Sequence, residues 1–167
     1  MDPRIHELIE AKQIGAIALD TSVFDAQQRQ LERGLLRRVA QFHRSDRVRV
    51  LIPDVVRRES LAHLARDAKE AQGGLARAVR KAARAQLLSR AALDQLRIIE
   101  DEIVAPTFAP EARLASWLGR TGADVLDVAA RVDIRTLFDR YFAAQAPFAE
   151  AGEKKHEFPD AASAAGA

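Results

Sequence analysis

The sequence predicts an α/β fold in which a short parallel sheet carries helices on both faces, and three observations support it. Two apolar runs of strand length, Ile14 to Asp20 and Val48 to Pro53, are each followed by a stretch with helical spacing. Alternation of this kind favours a parallel sheet whose ligands bind beyond the carboxyl ends of the strands. The first run closes on an acid, Asp20. The third observation is size and chemistry: 167 residues without a cysteine fit one domain, residues 1–167, with a core that needs no disulfide.

Taken in order, Ile5, Leu8 and Ile9 recur at helical spacing within residues 3–12, and Pro3 suits a first turn, so a short amphipathic helix is expected there. IGAIALD, Ile14 to Asp20, reads as a buried central strand that delivers Asp20 to its carboxyl end. Thr21 or Ser22 then caps a helix running to about Phe42, with Leu31, Leu35, Leu36 and Val39 as its buried stripe. VRVLIP, Val48 to Pro53, is β-branched and apolar, which gives a second strand, and Pro53 opens the next helix. That helix runs from Val55 to Gly73-Gly74, where a cost of roughly 1 kcal/mol per glycine predicts a break or bend. A second long helix continues to about Asp101, with Leu88, Ala92, Leu96 and Ile99 on one buried face. Pro106 and Pro110 bracket a loop, and two shorter helices follow, Glu111 to Leu118 and Ile134 to Ala143. The remainder, APFAEAGEKKHEFPDAASAAGA, reads as a surface loop that leads into the start of a helix at Phe158-Pro159-Asp160.

Composition removes several function classes. Without cysteine there is no thiol nucleophile and no thiolate zinc site. The four histidines, His6, His43, His63 and His156, are scattered without metal-ligand spacing, so zinc is not expected. MDPRIHELIEAKQ lacks the basic-then-apolar layout of an export signal, and no run approaches the roughly eighteen apolar residues of a membrane span. The cytoplasm is therefore the expected location. A formal charge of +2 identifies no partner, because steering depends on where the charge sits.

Three acids are candidates for chemistry. Asp20 ends an apolar strand, where a carboxylate is costly unless it meets a cation or a donor; a cap or turn residue is its plain alternative. Glu59 shares a helix face with Val55 and Ala62, beside a partly apolar stripe, and surface pairing with Arg57, Arg58 or His63 is the alternative. Asp160 follows Phe158-Pro159 and falls in a first helical turn, where a carboxylate complements the macrodipole; capping alone would explain it.

Together the stretches that hold these acids resemble the PIN-domain nucleases, in particular a bacterial PIN-like subfamily in which a segment like KKHEFPDA supplies a late metal ligand. The stretches are IALDTSVF (Ile17 to Phe24), LIPDVVRRESLAHL (Leu51 to Leu64) and PFAEAGEKKHEFPDA (Pro147 to Ala161). The resemblance implies a three-layer α/β/α fold with a long helical insert over about residues 65–105. It further implies that Asp20, Glu59 and Asp160 are catalytic acids holding Mg²⁺ or Mn²⁺, hard cations that prefer carboxylate oxygen, for hydrolysis of phosphodiester bonds in RNA. Thr21 matches the hydroxyl or amide position after the first acid, where it would hydrogen-bond Asp20 or a phosphate. PIN domains usually continue past the third acid through a helix and a strand that carries a fourth Asp or Asn, whereas AASAAGA follows Asp160 here. The expectation is a C-terminally truncated domain lacking its last strand or strands, or a degenerate relative that binds without cutting, with an open sheet edge that favours a homodimer.

Basic residues offer a different reading. No acid occurs between Ala71 and Leu93, and Arg77, Arg80, Lys81 and Arg84 share one helix face, as Arg29, Arg33 and Arg37 do earlier. Such rows suit the phosphate backbone of a nucleic acid, and they also suit a solvated helix face. Aromatics are not interleaved with them, so base stacking is not expected. A non-catalytic nucleic-acid-binding or protein-interaction module is thus the alternative to a nuclease. A phosphatase of the haloacid dehalogenase class ranks below both: its nucleophile loop places a second Asp two residues after the first, and that position is Ser22.

Overall fold

Parallel pairing of three short strands frames the first part of the molecule. The structure, a computed structural model, describes residues 3–45, 48–103, 108–143 and 145. The chain divides into two compact units, Met1–Ser60 with Ser116–Ala167, and Leu61–Ala115.

In the first unit, α1 (Pro3–Glu10) leads to β1 (Ala16–Ala18), and β2 (Arg49–Pro53) and β3 (Asp124–Leu126) complete a sheet in the order β1-β2-β3. Both pairings are parallel, with Ala18 opposite Leu51 and Leu51 opposite Asp124. All three strands therefore point their carboxyl ends at one edge, as strand–helix alternation requires. Among the described residues β2, not β1, is the central strand. Val50, Ile52 and Pro53 of β2 are buried, while Ala16 and Ala18 of β1 are exposed, so the apolar run at Ile14 marks an outer strand. Pro53 is the last paired residue of β2, opposite Leu126, and the helix opens at Asp54.

The single helix expected from Thr21 to Phe42 is three short ones, α2 (Thr21–Ala26), α3 (Gly34–Arg38) and α4 (Ala40–Ser45). Gln28 and Arg29 take left-handed φ values of 51° and 53°, and Arg29 N donates to Phe24 O at 2.8 Å while Gln28 N donates to Asp25 O at 2.8 Å. That bond pair is a Schellman helix end built without glycine. Gly34 then turns the chain into α3 at φ 56°. Leu31, Leu36 and Val39 are buried as expected, but Leu35 is 51% exposed because the break rotates it out of the stripe.

The core of this unit gathers on Trp117, in α7 (Phe108–Thr121). Its indole meets the Phe24 ring edge-on at 5.3 Å, and Nε1 donates to Leu36 O at 2.8 Å, so the one polar atom of a fully buried side chain is satisfied. Pro110 is helical, in the first turn of α7, where a missing N–H costs nothing, so no loop extends to it. Gly122, at φ 58°, makes the turn into β3, and a methyl group there would collide with the His43 ring. β3 was not expected: three residues are too few to show a period. Beyond it, α8 (Ile134–Phe142) matches its expected span and anchors through Leu137, packed with Val132 and Tyr141.

α5 (Asp54–Arg84), which belongs to the second unit from Leu61 onward, runs through Gly73-Gly74 without interruption. Flanking Ala, Leu, Arg and Lys sustain a helix against roughly 2 kcal/mol of glycine cost. The stop comes later, at Gln86 (φ 55°), where Leu87 N donates to Ala82 O and Gln86 N to Ala83 O, both at 3.0 Å. Ser89 then caps α6 (Arg90–Glu102), its Oγ accepting from Ala92 N at 3.2 Å. Leu88, Ala92 and Leu96 are half-buried, but Ile99 is 48% exposed and does not share their face. Among the described residues, no helix is long and apolar enough to cross a membrane.

Candidate active site at the carboxyl edge of the sheet

Each strand of the sheet leads into an aspartate at the same edge: Asp20 two residues after β1, Asp54 directly after β2 and Asp127 directly after β3. Leu19 N still donates to Leu51 O at 3.0 Å, so the chain stays tied to β2 up to the residue before Asp20. Asp20 itself, not Thr21 or Ser22, is the N-cap of α2, with extended φ −95° and ψ 160°; its Oδ1 accepts from Ser22 N at 2.8 Å. Capping fixes one oxygen of an exposed carboxylate and so sets its direction at the edge.

Glu59 comes from the second turn of α5. Its Oε2 accepts from the Thr21 hydroxyl at 2.6 Å across 38 positions of sequence. This length is that of a charge-assisted O–H to carboxylate bond. Thr21 thus donates to Glu59 and not to Asp20, and the bond holds Glu59 beside the strand end that bears Asp20. No arginine is needed to explain Glu59, since Arg58 pairs with Asp54 at 2.8 Å.

Asp54 and Asp127 each give one carboxylate oxygen to a backbone N–H. Asp54 Oδ1 accepts from Val128 N at 3.2 Å, which ties the end of β2 to the loop after β3, and Asp127 Oδ1 accepts from Ala130 N at 3.2 Å. Both carry the signal that marks Asp20 in the sequence, an acid directly after an apolar run. Asp160 lies outside the described residues. Among the described residues no group of three His, Cys, Asp or Glu side chains gathers closely enough to hold a metal. What the edge supplies is a pair of carboxylates from two elements, hard oxygen donors of the kind that Mg²⁺ and Mn²⁺ take. Arg77, Arg80, Lys81 and Arg84 are all exposed on α5 in the second unit.

A family profile described as the PIN domain matches residues 17–164 of this chain. The chain belongs to the PIN-domain family. No curated protein and no solved structure matched it. PIN domains are generally nucleases, typically use divalent metal ions and commonly act on RNA. The short parallel sheet with an acid after its first strand is the part of that fold seen here, and membership sets aside the phosphatase reading.

Proposed function

We propose that this PIN domain is an endoribonuclease of the cytoplasm that depends on Mg²⁺ or Mn²⁺, with Asp20, Glu59 and Asp160 as its metal-holding acids. The observation that carries the reading is the Thr21–Glu59 hydrogen bond, which fixes an acid of one helix beside the strand end that presents Asp20. Asp160 enters through its KKHEFPDA segment, within the matched span. Asp20, Glu59 and Asp160 would hold the cation, which when bound would supply an activated water and positive charge against the phosphate. The chain's own residues divide the remaining work: Ser22 N orients the Asp20 carboxylate, and Thr21 positions Glu59 and holds its Oε2. Cleavage of a generic single-stranded RNA with Mn²⁺, with EDTA, and by the Asp20→Ala variant tests the reading. Cleavage only by wild type with Mn²⁺ is expected; equal cleavage in EDTA or by Asp20→Ala would refute it.

The exposure of all four of Arg77, Arg80, Lys81 and Arg84 favours a second reading, a nucleic-acid-binding module that does not cut. It predicts salt-sensitive RNA binding that survives Asp20→Ala and Glu59→Ala and is lost when Arg77, Arg80 and Arg84 are neutralised.

A further inference from the structure

A second site lies toward the opposite end of the sheet. A cavity of about 920 Å³ is lined by Arg33, Arg37, Arg38 and Arg120, with Glu32 the one acid among its lining residues. Three excess positive charges therefore face one concavity in a chain whose formal charge is only +2 overall. Clefts lined by one sign of charge focus the field and concentrate ions of the opposite sign.

The arginines are placed by the fold in two different ways. Arg120 is held from below: Nη1 donates to Ser116 Oγ at 3.1 Å and Nη2 to Leu31 O at 3.3 Å. A guanidinium has five N–H donors, so these bonds fix its plane and leave others for a ligand. Arg33, Arg37 and Arg38 are exposed and form no side-chain hydrogen bond or ion pair among the described residues. The contrast with Arg29 is informative, because it shares their sequence row but pairs with Asp25 at 2.6 Å and does not line the cavity.

We propose that this cavity binds clustered phosphates, two or more on one ligand, at a site separate from the carboxyl edge. Planar guanidinium forks match phosphate oxygens, and several of them favour an anion that carries several phosphates over a single carboxylate. Among the described residues no aromatic side chain lines the cavity, so stacking on a nucleotide base does not contribute and recognition is independent of sequence. Arg120 precedes β3, whereas Asp20 and Asp54 follow their strands, so cavity and acids belong to opposite ends of the sheet. Across a strand of this length the separation is on the order of 15 Å, too far for one phosphate to touch both. The proposal therefore does not rest on nuclease activity.

Two sources share this chemistry, a nucleic-acid backbone and a free oligophosphate. The test uses the full chain in EDTA at low salt, with inorganic tripolyphosphate followed by calorimetry and a fluorescent single-stranded RNA followed by anisotropy. Arg37→Gln/Arg38→Gln is compared with the charge-matched Arg131→Gln/Arg135→Gln, and circular dichroism melts confirm that both fold; Arg33→Gln serves in its place if the first variant does not fold. Tripolyphosphate affinity is expected to fall about tenfold or more in the cavity variant and to change less than about twofold in the control. Displacement of bound RNA by tripolyphosphate, with the salt slope of RNA binding reduced by about 0.7 per lost contact, assigns the cavity to a strand. Tripolyphosphate binding without displacement assigns it to a free oligophosphate. Absence of tripolyphosphate binding to wild type, or an equal loss in both variants, overturns the proposal.

Discussion

Thr21 is the residue on which the edge turns. Its hydroxyl reaches Glu59 from the position next to Asp20, so one side chain links two elements that the sequence separates by 38 positions. Groups that orient a metal-holding carboxylate typically matter by about 10- to 100-fold. Thr21→Val is expected to lower Mn²⁺ affinity and RNA cleavage by that order, while Thr21→Ser keeps both within a few-fold. If valine and serine variants behave alike, the bond has no role in the site. Ser60, the next residue after Glu59, makes a different point. It is 2% exposed and its Oγ has no hydrogen-bond partner among the described residues. A buried hydroxyl without a partner costs about 1–3 kcal/mol. Ser60→Ala should therefore leave stability unchanged or raise it by about 1 kcal/mol, read as a denaturation midpoint that stays or moves upward; a clear drop would show that the hydroxyl is satisfied. Of these features Asp20 was legible, because an acid closing an apolar strand is visible in sequence. The Thr21–Glu59 bond was not, since no local pattern records which residues meet across a fold.

At the scale of elements, legibility followed the grammar of helix ends. Pro3, the Val48 to Pro53 run and the Ile134 helix announced themselves through proline position, β-branched content and spacing. The helix expected from Thr21 to Phe42 failed because its stop is written in Gln28 and Arg29, which sequence rules do not treat as punctuation. The reverse error came at Gly73-Gly74, where glycines looked like a stop and α5 simply continues. Its true stop, Gln86, holds a left-handed φ of 55° that costs a side-chain-bearing residue roughly 1 kcal/mol. Gln86→Gly relieves that cost while keeping the two end bonds, from Leu87 N and Gln86 N. A gain of about 0.5–1 kcal/mol is expected, offset in part by greater freedom of the unfolded chain, and is read as a higher melting temperature. A loss would mean that the glutamine side chain contributes more than its backbone costs. β3 is illegible for a simpler reason, its three residues, and Val125, Leu126 and Val128 after Gly122 are its one hint in the sequence.

For the whole molecule, the sequence disclosed the class and the family, and the structure supplied the arrangement. Residues 17–164 match the PIN domain, and the parallel sheet brings the ends of β1, β2 and β3 to one edge, where the acids follow. Asp20 and Glu59 thereby come to the carboxyl edge, and Arg33, Arg37 and Arg38 to the cavity at Arg120. Topology explains why: in a parallel sheet, residues after the strands and residues before them are sorted to opposite ends whatever their order in sequence.

The central claim is that Asp20 and Glu59 hold one divalent cation, and the most direct measurement is calorimetric titration of Mn²⁺ into wild type, Asp20→Ala and Glu59→Ala, each shown to fold. Saturable binding by wild type that weakens at least about tenfold in both variants is the predicted result. Affinity that is indistinguishable among the three proteins would contradict the account.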